Sequence, residues 1–181
     1  TAMADKMSPE EASAMLSAYR AEVLDACATH GGIVDKFIGD CVMALWNAPA
    51  DDPDHARHAL SAGRAMVEGI ARLSANIAAE GHDVTLACGV GINTGECTVG
   101  NMGSSLRFDY TAIGDPVNTA SRLEALTKEY SSQLIFSDKV ANLVAEDFSE
   151  LTHESAEIRG RVEPLGIYIV KDARRLPYFT V

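Results

Sequence analysis

The sequence predicts an α+β or α/β sandwich with one mixed sheet, folded as a single domain over residues 1–181. Two observations carry that reading. Strand-like runs are joined in some places by hairpin turns and in others by helices, the pattern of helices layered on a sheet. The 181 residues suffice to bury a real core yet favour one domain, and no repeat, linker or low-complexity tract divides them.

Taken in order, Ser8-Pro9-Glu10-Glu11 forms a capping box with proline at the first helical position. Ala12, Met15, Leu16, Tyr19, Val23, Leu24 and Cys27 then recur at helical spacing as one apolar face, and His30-Gly31-Gly32 stops the helix. Two β-type runs follow, residues 33–38 and 41–46, with Gly39-Asp40 as a tight hairpin turn. The second is nearly continuous in apolar residues, as for a strand covered on both faces.

A Pro- and Asp-rich loop, residues 47–54, separates this hairpin from a long helix running from near Asp52-Pro53 to about Glu80. Ala59, Ala62, Met66, Ile70, Leu73 and Ile77 mark its buried side, with His55 and His58 as exposed residues of its first turns. Residues 84–95 read as a buried strand and 97–102 as another. Gly89 and Gly91 lie inside the first, with no helix directly following, so they form no dinucleotide fingerprint. Their expected use is close approach of another backbone or of a ligand.

Gly103-Ser104-Ser105 turns into the most informative stretch, Phe108-Asp109-Tyr110-Thr111-Ala112-Ile113-Gly114-Asp115-Pro116-Val117-Asn118-Thr119-Ala120-Ser121-Arg122. It reads as strand, turn and helix, with Asp115 as N-cap and Pro116 as first helical residue. Asn118 and Arg122 lie four apart and share one helix face near its N-terminus. That helix is expected to end near Tyr130-Ser131. A short strand at 133–137, a modest helix at 138–145 capped by Ser137 or Asp138, and strands at 151–158 and 165–170 complete the chain. Arg159-Gly160-Arg161 lies between the last two.

Composition excludes several functions. A formal charge of −11 argues against a broad surface for nucleic acid or an anionic membrane, though not against a locally basic phosphate site. Cys27, Cys41, Cys88 and Cys97 show neither zinc-type spacing nor clustering with histidines, and read as buried free thiols. No run of about 18 apolar residues and no signal-peptide pattern occurs. The chain opens on Thr1 without an initiator methionine and reads as a piece of something longer.

The polar outliers suit a nucleotide. A carboxylate at a strand turn, Asp40, can hold Mg²⁺ together with phosphate oxygens. Arg122, Arg159, Arg161 and a helix N-terminus can neutralise a polyphosphate, and Asn118 can meet a sugar hydroxyl. Lys36 and Thr111 can read a base edge through donor and acceptor atoms. Neither a Ser-His-Asp arrangement nor a P-loop is present. Metal-assisted nucleotide chemistry is the best chemistry on offer.

Asp35-Lys36-Phe37-Ile38-Gly39-Asp40, Gly91-Ile92-Asn93-Thr94-Gly95 and the stretch from Asp109 through Arg122 together resemble the catalytic domain of class III nucleotidyl cyclases. The resemblance covers nearly the whole chain and implies a ferredoxin-like α/β sandwich, its sheet mixed but mainly antiparallel. It implies an adenylyl cyclase that closes ATP to 3′,5′-cyclic AMP with two Mg²⁺ or Mn²⁺ ions. Asp40 matches the second metal aspartate, and Lys36 with Thr111 the pair that reads the purine. The Lys/Thr pairing looks like a bacterial adenylyl cyclase subtype; Glu and Cys there would indicate a guanylyl cyclase. Asn118 is similar to the asparagine that orients the ribose and Arg122 to the arginine on the α-phosphate. Arg161, or alternatively Arg159, falls where a terminal-phosphate lysine is usual.

The resemblance further implies a homodimer with sites at its interface, sensory or membrane domains fused outside this chain, and a cytoplasmic location. One departure stands out. The family's first metal aspartate belongs to a strand ending just before Thr1, so that aspartate and a central strand are missing here. Truncation accounts for this, since every other motif position is intact. A catalytically silent module that binds nucleotide or only dimerises is the competing reading, with a guanylyl cyclase as another.

Overall fold

The computed structural model describes residues 8–82, 84–104, 107–158 and 163–179. Helix α1, Pro9–Thr29, begins with the full capping box: the Ser8 hydroxyl accepts from the Glu11 backbone, and the Glu11 carboxylate accepts from Ser8 N–H. Of its expected apolar face, Val23 and Cys27 are buried while Leu24 is exposed. Strands β1 (Ile33–Ile38) and β2 (Cys41–Leu45) form an antiparallel hairpin around Gly39, whose positive φ of 65° suits glycine. The hairpin is half-buried rather than covered on both faces, and it pairs with no third strand among the described residues.

Helix α2 spans His55–Ala79, and α3 spans Asp115–Glu129. Strand β3 (Val90–Ile92) is much shorter than the sequence suggested. Residues 84–89 have no ladder partner among the described residues; the Leu86 N–H donates to the Ser74 hydroxyl of α2, at 2.8 Å. Strands β4 (Thr98–Ser104) and β5 (Arg107–Ile113) make a second antiparallel hairpin. Strand β6 (Leu134–Ser137), helix α4 (Asp138–Val144), and strands β7 (Thr152–Ala156) and β8 (Leu165–Val170) follow, then a 3₁₀ turn at Ala173–Arg175 that the sequence did not announce.

The expected mixed, mainly antiparallel sheet is thus present in three hydrogen-bonded pieces: the two hairpins and a four-stranded sheet ordered β3-β6-β8-β7. Among the described residues only the β3–β6 pair is parallel. Alternation along β6 builds the two layers. Leu134 and Phe136 face a core shared with Leu60 of α2 and Val140 and Val144 of α4. Ile135 faces the opposite core with Leu123 of α3, Ile167 and Ile169.

Two smaller expectations are corrected. His58 is buried, its Nδ1 2.8 Å from Asp52 Oδ2, because the loop before α2 folds back over the helix start. His55 is half-buried, with Nδ1 2.9 Å from the Asp52 carbonyl. All four cysteines are free, but only Cys27 is buried; Cys88 and Cys97 are intermediate and Cys41 is exposed at the hairpin turn.

Candidate functional site

Close packing against α3 fixes where Asn118 and Arg122 stand. A Cβ on Gly91 would lie 2.3 Å from the Ala120 carbonyl and 2.3 Å from the Glu124 nitrogen. A Cβ on Gly89 would strike the Thr127 hydroxyl. Gly91 therefore admits a helix backbone, one of the two uses expected for these glycines, while Gly89 makes room for a helix side chain. Asn93, just past β3, completes the seating: its amide donates to the Pro116 carbonyl at 3.1 Å, and its Oδ1 accepts from the Ser137 hydroxyl at 2.7 Å. The Ser137 hydroxyl is thereby used on Asn93, and α4 has no side-chain cap there.

The N-cap of α3 is Gly114, one residue earlier than expected, and Asp115 is its first helical residue. Asn118 is exposed and Arg122 partly exposed. Among the described residues neither side chain makes a hydrogen bond or ion pair with Lys36 or Thr111. Arg122 stands as a guanidinium on the first turns of a helix with no carboxylate partner among those residues.

Lys36 and Thr111 come from separate hairpins, yet they meet. Asp35 joins them: its Oδ2 accepts the Thr111 hydroxyl and its Oδ1 lies 3.5 Å from Lys36 Nζ. Thr111 is buried at 7% exposure, so its hydroxyl has few other partners to choose. Strand alternation gave Asp35 the face opposite Lys36; a bulge overrides it. Val34 pairs with Ala44 and Lys36 with Met43, leaving Asp35 as an extra residue on β1.

Asp40 occupies the exposed β1–β2 turn. Arg20 of α1 steadies that turn, donating to the Gly39 carbonyl at 3.2 Å while its guanidinium lies 4.6 Å from the Phe37 ring centre. Sequence periodicity gave no signal for Arg20, since only the fold brings α1 over the hairpin. The described residues contain no group of three or more His, Cys, Asp or Glu able to hold a metal. One turn carboxylate does not by itself cage an ion; its chemistry fits an ion shared with phosphate oxygens. Arg159 and Arg161 lie outside the described residues.

With strand, bulge and helix seat in view, the class is settled. Residues 1–172 match the family model described as the adenylate and guanylate cyclase catalytic domain, and the chain belongs to that family. It is 36% identical over 170 residues to adenylate cyclase 1 of Rhizobium meliloti, covering 94% of this chain and 25% of that protein. The adenylyl cyclase CyaB from P. aeruginosa is 33% identical with a TM-score of 0.83, covering 96% of this chain and 88% of that one. The guanylyl cyclase Cya2 is 28% identical, also with a TM-score of 0.83, covering 93% and 84%. No helix among the described residues is long and apolar enough to cross a membrane.

Proposed function

We infer that this chain is the catalytic domain of an adenylyl cyclase, converting ATP to 3′,5′-cyclic AMP and pyrophosphate. The observation that carries the reading is the meeting of Lys36 and Thr111 on one buried carboxylate, which supplies a donor and a hydroxyl side by side for a purine edge. The adenylate cyclases among its relatives support the same choice.

In the proposed reaction the ribose 3′-oxygen attacks the α-phosphorus. An O3′–P bond forms, the bond from the α-phosphorus to the bridging oxygen breaks, pyrophosphate leaves, and the 3′-hydroxyl proton passes to solvent. Asn118 orients the ribose, and Arg122 stabilises charge that grows on the α-phosphate in the transition state. Arg161, or Arg159, contacts the terminal phosphates. Asp40 would hold Mg²⁺ or Mn²⁺ together with phosphate oxygens; such ions would acidify the attacking hydroxyl and neutralise the phosphates.

The site is proposed to be split across a homodimer, metal carboxylates from one subunit facing Lys36, Thr111, Asn118 and Arg122 of the other. Exposed Ile38, Phe108 and Ile113 on the two hairpins support such an interface. Fused sensory or membrane domains and a cytoplasmic setting remain part of this proposal.

The test is cyclic nucleotide formation by the full-length protein with Mg²⁺ or Mn²⁺, supplied with ATP or GTP. Cyclic AMP from ATP supports the reading. A folded dimer that binds ATP yet forms no product points to the silent module, and preferential cyclic GMP formation to a guanylyl cyclase.

A further inference from the structure

Asp35 has no part in the reaction as proposed, yet both oxygens of its carboxylate are engaged. Oδ2 accepts the Thr111 hydroxyl and Oδ1 faces Lys36 Nζ at 3.5 Å. The Asp35 side chain is 1% exposed, whereas that of Lys36 is 36% exposed. The bulge in β1 turns Asp35 to this position, where a regular strand would send it to the face opposite Lys36.

The consequence lies in hydrogen-bond polarity. A threonine hydroxyl has one proton and two lone pairs, and left free it rotates to donate or to accept. A carboxylate only accepts, so the proton in the Thr111–Asp35 bond belongs to Thr111. With that proton committed, the Thr111 oxygen can offer nothing but lone pairs to a ligand. The Lys36 ammonium carries three protons and no acceptor, so it still donates outward. The pair then presents one acceptor beside one donor. Adenine offers the complement, an amino group at position 6 beside the N1 acceptor. Guanine offers the reverse at both positions, a carbonyl oxygen beside N1–H.

We propose that Asp35 is the positioning residue that sets purine selectivity: by holding the Thr111 proton and orienting Lys36, it makes the site accept a 6-amino purine and reject a 6-oxo purine. This rests on the reading that Lys36 and Thr111 face the base.

The test is Asp35→Asn in the full-length protein. The side-chain amide can donate to Thr111, releasing the hydroxyl proton to the base. Two ratios are measured: kcat/KM for ATP over GTP, and affinity for 3′-deoxy-ATP over 3′-deoxy-GTP, which cannot cyclise. Both ratios are expected to fall by about tenfold or more, and adding Thr111→Val should lower them little further. A merely structural role would weaken both nucleotides alike and leave the ratios in place, which overturns the proposal.

If Asp35→Asn does not fold, the wild-type protein decides. N6-methyl-ATP and 6-methoxypurine riboside triphosphate share the N1 acceptor and differ at position 6 in N–H against O. Preference of about tenfold or more for the N–H compound supports an acceptor-only Thr111, and equal affinity overturns it. A protein that binds with this preference but forms no cyclic product fails the catalytic reading alone. One that binds neither purine fails both.

Discussion

The side-chain amide of Asn93 donates to the backbone carbonyl of Pro116 across 3.1 Å, tying the end of β3 to the first turn of α3. Behind it the fully buried Ser137 hydroxyl holds Asn93 in place at 2.7 Å. The three residues lie far apart in sequence but form one chain of contacts to the helix that carries Asn118 and Arg122.

Ser137→Ala removes the donor and leaves the Asn93 carbonyl oxygen without it. We expect a loss of about 1–3 kcal/mol in stability, read from urea unfolding. A variant as stable as the wild type would show that the contact contributes little.

Gly91→Ala places a methyl group against the backbone of Ala120 and Glu124, which cannot swing aside as a side-chain tip could. Overpacking of this kind costs about 1–3 kcal/mol. Thermal unfolding should report a lower Tm, and turnover should fall with it as α3 is displaced. An unchanged Tm would mean that α3 can retreat without loss.

Arg122→Ala tests the proposed transition-state contact. We expect kcat to fall by roughly 100-fold or more. KM for ATP should change by less than about threefold, because the contact strengthens only as charge develops. Equal damage to both would assign Arg122 to ground-state binding instead.

The double change Lys36→Glu and Thr111→Cys should move preference from ATP toward GTP in side-by-side kcat/KM measurements. Retained ATP preference in a folded double variant would remove both residues from base reading.

Burial pushes the Cys27 thiol from its ordinary 9.0 up to about 12. The unfolded chain loses that proton near 9 while the native state keeps it, so the native state binds more protons in between and stability falls as pH rises through that window. Burial likewise moves Tyr19 to about 12 and Cys88 to about 11, which adds to the decline. Cys27→Ala should therefore lose less stability than wild type between about pH 8 and pH 10, by urea midpoint. Parallel slopes would show that Cys27 contributes nothing to the decline.

Much of the frame was legible in the chain itself. Ser8 and Glu11 announce the start of α1 because capping is a local matter of four residues. Gly39-Asp40 announces its hairpin and residues 165–170 their strand for similarly local reasons. Residues 84–89 misled, since their apolar run signals burial but not the pairing partner a strand requires. His58 misled in the other direction: helix position alone could not show Asp52 folding back to meet it.

The sequence by itself determined the family and its motif positions, because those residue types at those spacings are written along the chain. Tertiary structure alone decided what the motifs do to one another. It joined Lys36 to Thr111 through Asp35, set Arg20 behind the Gly39 turn, and seated α3 by way of Gly91, Asn93 and Ser137. A hydrogen bond depends on distance and direction in space, and sequence separation carries neither. In β1 a single extra residue turned a side chain from one face of the strand to the other.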